Sequence, residues 1–166
     1  MKTDDNLAEA FAGESQANRR YLAFGEAAAK EGLAQVAKLF RAVAAAETVH
    51  ALAHLRALDG VKDTVENLTA AMAGEDYEVK EMYPPMLALA KAEGHKKAER
   101  SMTHALEVEK VHYGLFQQAL EAVKAGKDIP AAVIQVCPVC GHTVIGDAPD
   151  ECPICHAKGD KFAEVA

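Results

Sequence analysis

Apolar residues recur at alternating steps of three and four along most of the first 125 residues, the period of helices that bury one face. Asp4 or Asp5 can cap a first helix running to about Lys30, with Gly32 past its end. A second helix is expected from about Leu33 to Leu58, stopped by Asp59-Gly60, so that the two form an antiparallel hairpin. Residues 61–74 are longer than such a turn requires and carry a short helical pattern of their own, Val65, Leu68 and Met72. They read as a crossover to a second hairpin, built from a third helix over about Glu75–Ala92 and a fourth over His95–Ala125. Tyr83-Pro84-Pro85 falls inside the third helix, where two missing amide donors free carbonyls near Lys80 and Glu81 and predict a bend or local unwinding beside Glu81. Gly126 to Pro130 reads as a linker, because Gly ends the long helix and Pro prevents its resumption.

Polar residues interrupt these apolar faces at particular places. On the second helix the seam runs Val36, Phe40, Val43, Glu47, His50, His54, Leu58; on the fourth it runs Met102, Ala105, Glu109, His112, Phe116, Ala119, Val123. Each seam thus carries Glu-x-x-His, and residues three apart sit one above the other on a helix face. Glu14 is likewise flanked by Leu7, Phe11, Ala17 and Tyr21. A lone Glu on the first helix of each hairpin, Glu14 or Glu81, followed by Glu-x-x-His on the second, makes a loose internal repeat. Any one of these residues alone reads as a solvated Glu or a hydrogen-bonded core His. The joint pattern over four helices reads as a pair of buried metal ions, since several buried carboxylates repel and need a strong compensating charge. Oxygen-rich ligation with only two His suits iron or manganese better than structural zinc. His54 is a weaker candidate for the same seam, His95 and His104 read as solvated or interface positions, and Tyr21 and Tyr83 can either hydrogen-bond ligating carboxylates or simply pack.

Composition divides the chain. All four Cys lie between positions 137 and 155, after a helical region rich in Ala, Glu, Lys and Leu. Cys137-Pro-Val-Cys140-Gly and Cys152-Pro-Ile-Cys155-His form a C-x2-C-x11-C-x2-C pattern, a strong signal for a tetrahedral thiolate site. Gly141 permits the positive φ that turns backbone amides toward sulfur, whereas His156 has to adopt it at some strain. Spacing alone does not distinguish structural zinc from redox iron, and closed four-Cys sites favour zinc. The formal net charge of -7 disfavours nucleic acid as a partner, Lys96, Lys97 and Arg100 making only a small patch. With no apolar leader and no run long enough to span a bilayer, a cytoplasmic location is expected.

Residues 10–17 (Ala-Phe-Ala-Gly-Glu-Ser-Gln-Ala), Glu47-x-x-His50, Glu78-x-x-Glu81-Met82-Tyr83-Pro84, Glu109-x-x-His112 and the Cys pairs, in this order, resemble the rubrerythrin family over essentially the whole chain. The resemblance implies a mainly α protein: a ferritin-like di-iron four-helix bundle with a long crossover connection over residues 1–125, a linker over 126–131 and a rubredoxin-like iron tetrathiolate domain over 132–166. It turns the zinc preference into one for iron. It implies that Glu47 and Glu109 bridge two non-haem irons, that Glu14 and Glu81 are terminal ligands of one, and that Glu78 and His112 ligate the other. One iron is then expected to move from Glu81 to His50 on reduction, making Glu81 and His50 the catalytic pair. The ligands of the third iron are Cys137, Cys140, Cys152 and Cys155.

The implied activity is reduction of hydrogen peroxide to water in oxidative-stress protection, with electrons entering singly through the Cys-bound iron from a reductase or small redox protein, indirectly from NADH. Helix continues for roughly 20 Å from His112 to Ala125 at the usual rise. A head-to-tail homodimer is therefore expected to shorten electron transfer between the two kinds of centre. An iron-oxidising, iron-handling protein and a zinc-stabilised scaffold are the alternatives.

Overall fold

The helical period is realised in a computed structural model that describes residues 2–165. Two compact units divide the chain, one ending at Lys62 and the other starting at Asp63. In the first, α1 (Lys2–Lys30) and α2 (Ala34–Ala57) form the expected antiparallel hairpin. Gly32 adopts a left-handed φ of 80°, which lets the Leu33 amide close on the Ala28 carbonyl at 2.9 Å. At the end of α2 the left-handed residue is Asp59, with φ 52°, and Gly60 follows it with its amide on the Leu55 carbonyl. Asp tolerates this region better than most side chains, so the stop signal stands one residue earlier than the glycine suggested.

The contact between α1 and α2 runs along small residues. Ala37, Ala44 and Ala51, seven apart, are buried against a face of α1 that includes Ala17, Gly25 and Ala28. This is one position off the predicted seam, whose Val36 remains 42% exposed. Close approach explains the shift: a Cβ on Gly25 would lie only 3.3 Å from the Ala37 carbonyl oxygen, so bulkier side chains are displaced to the flanks. There Tyr21, Phe24 and Phe40 cluster, with ring centroids 5.7–6.3 Å apart.

Such a smooth seam permits sliding, and Asn18 prevents it. Its buried Nδ2 donates to the Ala44 carbonyl at 2.6 Å and to Thr48 Oγ1 at 2.8 Å. Asn18 lies one turn after Glu14, and Thr48 adjoins Glu47, so these bonds fix the register of the two carboxylates.

In the second unit, Asp63 caps α3 (Thr64–Tyr77) by accepting from the Glu66 amide at 2.9 Å. The segment expected to be a crossover is thus the first part of the third helix, which begins at Thr64 and not Glu75. A π turn occupies Glu78–Met82, and α4 (Tyr83–Ala92) continues beyond it. Pro84 and Pro85 cannot donate to the carbonyls of Lys80 and Glu81, and the ladder adjusts so that the Tyr83 amide reaches Glu78, five residues back. The predicted disturbance is therefore a widening of the helix. His95 caps α5 (Lys96–Lys124) through Nδ1, and both α3 and α4 pack on α5. After residues 125–133 a small antiparallel sheet follows, β1 (Ile134–Val136) lying between β2 (Thr143–Ile145) and β3 (Ala163–Glu164). Among the described residues no helix is long and apolar enough to cross a membrane.

If Asn18 sets the hairpin register, Asn18→Leu removes both bonds and is expected to lower unfolding free energy by about 2 kcal/mol. Urea titration followed by helical circular dichroism measures this, and an unchanged midpoint would count against it.

Candidate metal centres

Two triads of the same construction stand in the two units. Glu14 on α1 joins Glu47 and His50 on α2, with His50 Nδ1 3.0 Å from Glu47 Oε2 and 4.0 Å from Glu14 Oε1. Glu75 on α3 joins Glu109 and His112 on α5, with His112 Nδ1 2.7 Å from Glu109 Oε2 and 3.9 Å from Glu75 Oε1. Within each triad one ligand atom per residue lies within 4.8 Å of the others. Antiparallel pairing of two helices brings this about: one contributes a single Glu, the other a Glu and a His three apart on one face. The exposure differs, the His50 side chain being 55% accessible and that of His112 only 26%.

Crowding of the carboxylates shows in their electrostatics. Glu75 is pushed up to about 7, first by burial and then by the Glu109 carboxylate beside it, with His112 acting in the opposite direction. Glu78, half-buried, is also pushed up, by burial and by Glu109. Burial raises the Tyr83 phenol too, assisted by the charges of Glu78, Glu109 and Glu75. Crowded carboxylates facing an imidazole nitrogen are the donor set of a hard or borderline dication, and iron or manganese fits it. A cavity of about 510 Å³ adjoins Glu75 and His112, with Leu68, Leu115, Phe116 and Ile134 among its walls.

The sequence-predicted residues divide accordingly. Glu14, Glu47, His50, Glu109 and His112 come together as triad members, and Glu78 flanks the second triad. Glu81 is exposed and belongs to neither; Glu75, absent from the expected ligands, occupies the first-helix position instead. A signal for Glu75 was present. Ala12-Gly13-Glu14 recurs as Ala73-Gly74-Glu75, and Glu75 precedes Glu109 by 34 residues, close to the 33 between Glu14 and Glu47. Of the remaining candidates, Tyr21 packs on Phe24 and Phe40, His54 is half-buried outside the triad, and His95 serves as a helix cap.

The four Cys sulfurs form the third centre. Sγ of Cys137 lies 3.6 Å from that of Cys155, and Cys140 lies 3.6 Å from Cys152, all four within 4.8 Å. A disulfide is far shorter, whereas a tetrahedron with metal–sulfur bonds of about 2.3 Å has edges of about 3.8 Å. The two knuckles are alike: Gly141 (φ 88°) and His156 (φ 61°) both turn left-handed, and their amides bond to the Cys137 and Cys152 carbonyls at 2.9 and 3.0 Å. His156 thus adopts the conformation expected of it. Burial opposes ionisation at Cys152, yet the amides of Cys155 and Ile154, with the neighbouring thiols, bring it down to about 7. Cys140 is pushed up by burial and by the other three thiols, against a bond from the His142 amide. Four thiolates at this spacing require a cation, which a four-coordinate iron supplies.

The small sheet returns to α5. Thr143 Oγ1 is 3.0 Å from His112 Nε2, and a Cβ on Gly141 would lie 3.8 Å from Val108. The helix runs on past His112, and β2 packs back against it.

Known proteins share this organisation. The sequence profile of the Rubrerythrin family matches residues 5–120, and that of the rubrerythrin rubredoxin-like domain matches residues 135–163. Rubrerythrin-2 of Clostridium acetobutylicum is 39% identical over 174 aligned positions, covering 96% of this chain and 95% of that protein. Nigerythrin of Nitratidesulfovibrio vulgaris is 36% identical, over 96% of this chain and 85% of its own length. A structure of partially reduced nigerythrin matches with a TM-score of 0.60 at 32% identity, covering 98% of this chain and 86% of that one.

Separate substitutions distinguish the two acidic positions. Glu75→Ala is expected to lower metal affinity at the second triad at least about tenfold, while Glu81→Ala leaves metal content unchanged. Iron analysis after equilibrium dialysis reads the difference.

Proposed function

The chain belongs to the rubrerythrin family, and from that premise we propose that it is a non-haem di-iron peroxidase that reduces hydrogen peroxide to water. The supporting observation is that two Glu–Glu–His triads of crowded carboxylates occur in one chain with a tetrathiolate site suited to one-electron transfer. Held by the triad residues, a di-iron cofactor would supply two electrons for O–O cleavage, and an iron held by Cys137, Cys140, Cys152 and Cys155 would supply their single-electron replacements. With two protons taken up, each peroxide yields two water molecules. Nigerythrin has been solved in mixed-valence, partially reduced and all-ferrous states, and the same redox range is proposed here.

The chain's own groups divide the remaining work. The apolar cavity beside Glu75 and His112 admits a small uncharged oxidant. Tyr83 keeps its phenolic proton beside Glu78, Glu109 and Glu75, so its Oη donates to an oxygen acquiring negative charge there. Glu78 Oε, pushed up by burial and Glu109, holds a proton more readily than a solvated carboxylate. Glu81 was expected to exchange with His50 as a ligand, but it is exposed, which favours Glu78 and Tyr83 for handling protons. His50, the more exposed of the two imidazoles, is proposed as the ligand whose engagement changes with oxidation state. Electrons are proposed to arrive from an NADH-dependent reductase or a small redox protein.

Stopped-flow mixing of the fully reduced protein with peroxide tests the reading. Oxidation is expected within the first turnover, followed by appearance of the ferric-thiolate absorbance, and Tyr83→Phe slows it by about 100-fold at unchanged iron content. Slow oxidation by peroxide together with uptake of excess iron would sink the peroxidase in favour of iron handling.

A further inference from the structure

Thr143 opens β2 three residues after Cys140, and its hydroxyl makes two contacts. It lies 3.1 Å from the Gly141 carbonyl oxygen and 3.0 Å from His112 Nε2. A hydroxyl has one hydrogen, and a carbonyl oxygen only accepts, so that hydrogen goes to Gly141. Thr143 Oγ1 must then accept from His112, which places the N–H on Nε2. That leaves Nδ1, the atom 2.7 Å from Glu109 Oε2 and 3.9 Å from Glu75 Oε1, as the nitrogen that faces the ion. A metal-ligating imidazole requires this division of labour, with one nitrogen donating outward and the other free for the ion.

We propose that Thr143 is a positioning residue for the Glu75–Glu109–His112 triad, and that through it the four-Cys knuckle controls metal binding at that triad. Metal loading is then ordered. Thr143 pairs across the sheet with Val136, the residue before Cys137, and its acceptor Gly141 bonds back to the Cys137 carbonyl. Both ends of this small structure are therefore tied to Cys137. Little else holds the domain together: Phe162, edge-on to His142 at 6.1 Å, is its only phenyl ring. A domain of this size depends on its metal for folding. Filling the thiolate site orders β2, β2 orients His112, and His112 presents Nδ1 to the second metal.

The inference rests on the metal-binding reading of the triad and needs no peroxide chemistry. The test uses the full-length chain, labelled with 15N-histidine and carrying one equivalent of Zn(II) in the four-Cys site. Once a further equivalent of Zn(II) fills the triad, the His112 ring is expected to show a protonated Nε2 and a metal-bound Nδ1. Thr143→Val should lose that signature and bind further Zn(II) at the triad about tenfold or more weakly, and Thr143→Ser should restore both. Emptying the knuckle with Cys140→Ser should weaken triad binding as Thr143→Val does. The proposal is overturned if Thr143→Val keeps both the tautomer and the affinity, if Thr143→Ser behaves like Thr143→Val with the knuckle zinc in place, or if Cys140→Ser leaves the affinity unchanged. A protein that shows all the expected effects but does not reduce peroxide would contradict the peroxidase assignment alone.

Discussion

Like charges held close together at the edge of an apolar interior are the condition around which this molecule is organised. Each triad sets two carboxylates and an imidazole within 4.8 Å, and the knuckles hold four sulfurs as tightly. Repulsion and desolvation would disperse these groups if the backbone did not hold them, and a cation is what turns the crowding into a stable arrangement. Much of the surrounding structure can be understood as the rigidity such crowding needs. Asn18 prevents α1 and α2 from sliding, the alanine seam brings their axes close, and the left-handed turns at Gly141 and His156 direct amides at sulfur.

The two triads share a plan but differ in surroundings. The first is relatively open at His50, and the hairpin carrying it is complete in two helices and a short turn. The second has a third acidic residue, Glu78, a phenol, and a tether from His112 to the Cys domain. The extra features all arise where regular helix geometry is relaxed or where another element reaches in. The two triads therefore offer two unequal metal environments.

Local and periodic features were legible in the sequence. Both Glu-x-x-His pairs, the Cys spacing, the stop at Gly32 and the disturbance before Pro84 can all be read from neighbouring residues, because each depends on contacts within a few positions. Glu75 escaped because the resemblance drew attention to the acidic residues nearest Tyr83 and Pro84, whereas the repeated Ala-Gly-Glu and its distance to Glu109 pointed one turn earlier. The alanine seam escaped because hydropathy weights large side chains, while interhelical distance is set by small ones. Thr143 had no local signal at all: its contact with His112 joins residues 31 apart through a sheet and a helix.

The π turn sets a further condition on the chain. It holds one residue more than an ordinary helical ladder would between the same carbonyl and amide. Wound as an even helix, the same residues would rotate everything after them by about 100° relative to Glu75, carrying Tyr83 away from the carboxylates. Loops elsewhere can change length at little cost. Here the extra residue is absorbed only by the wide turn, so this segment is constrained by its hydrogen-bond pattern as much as by the identities of its residues.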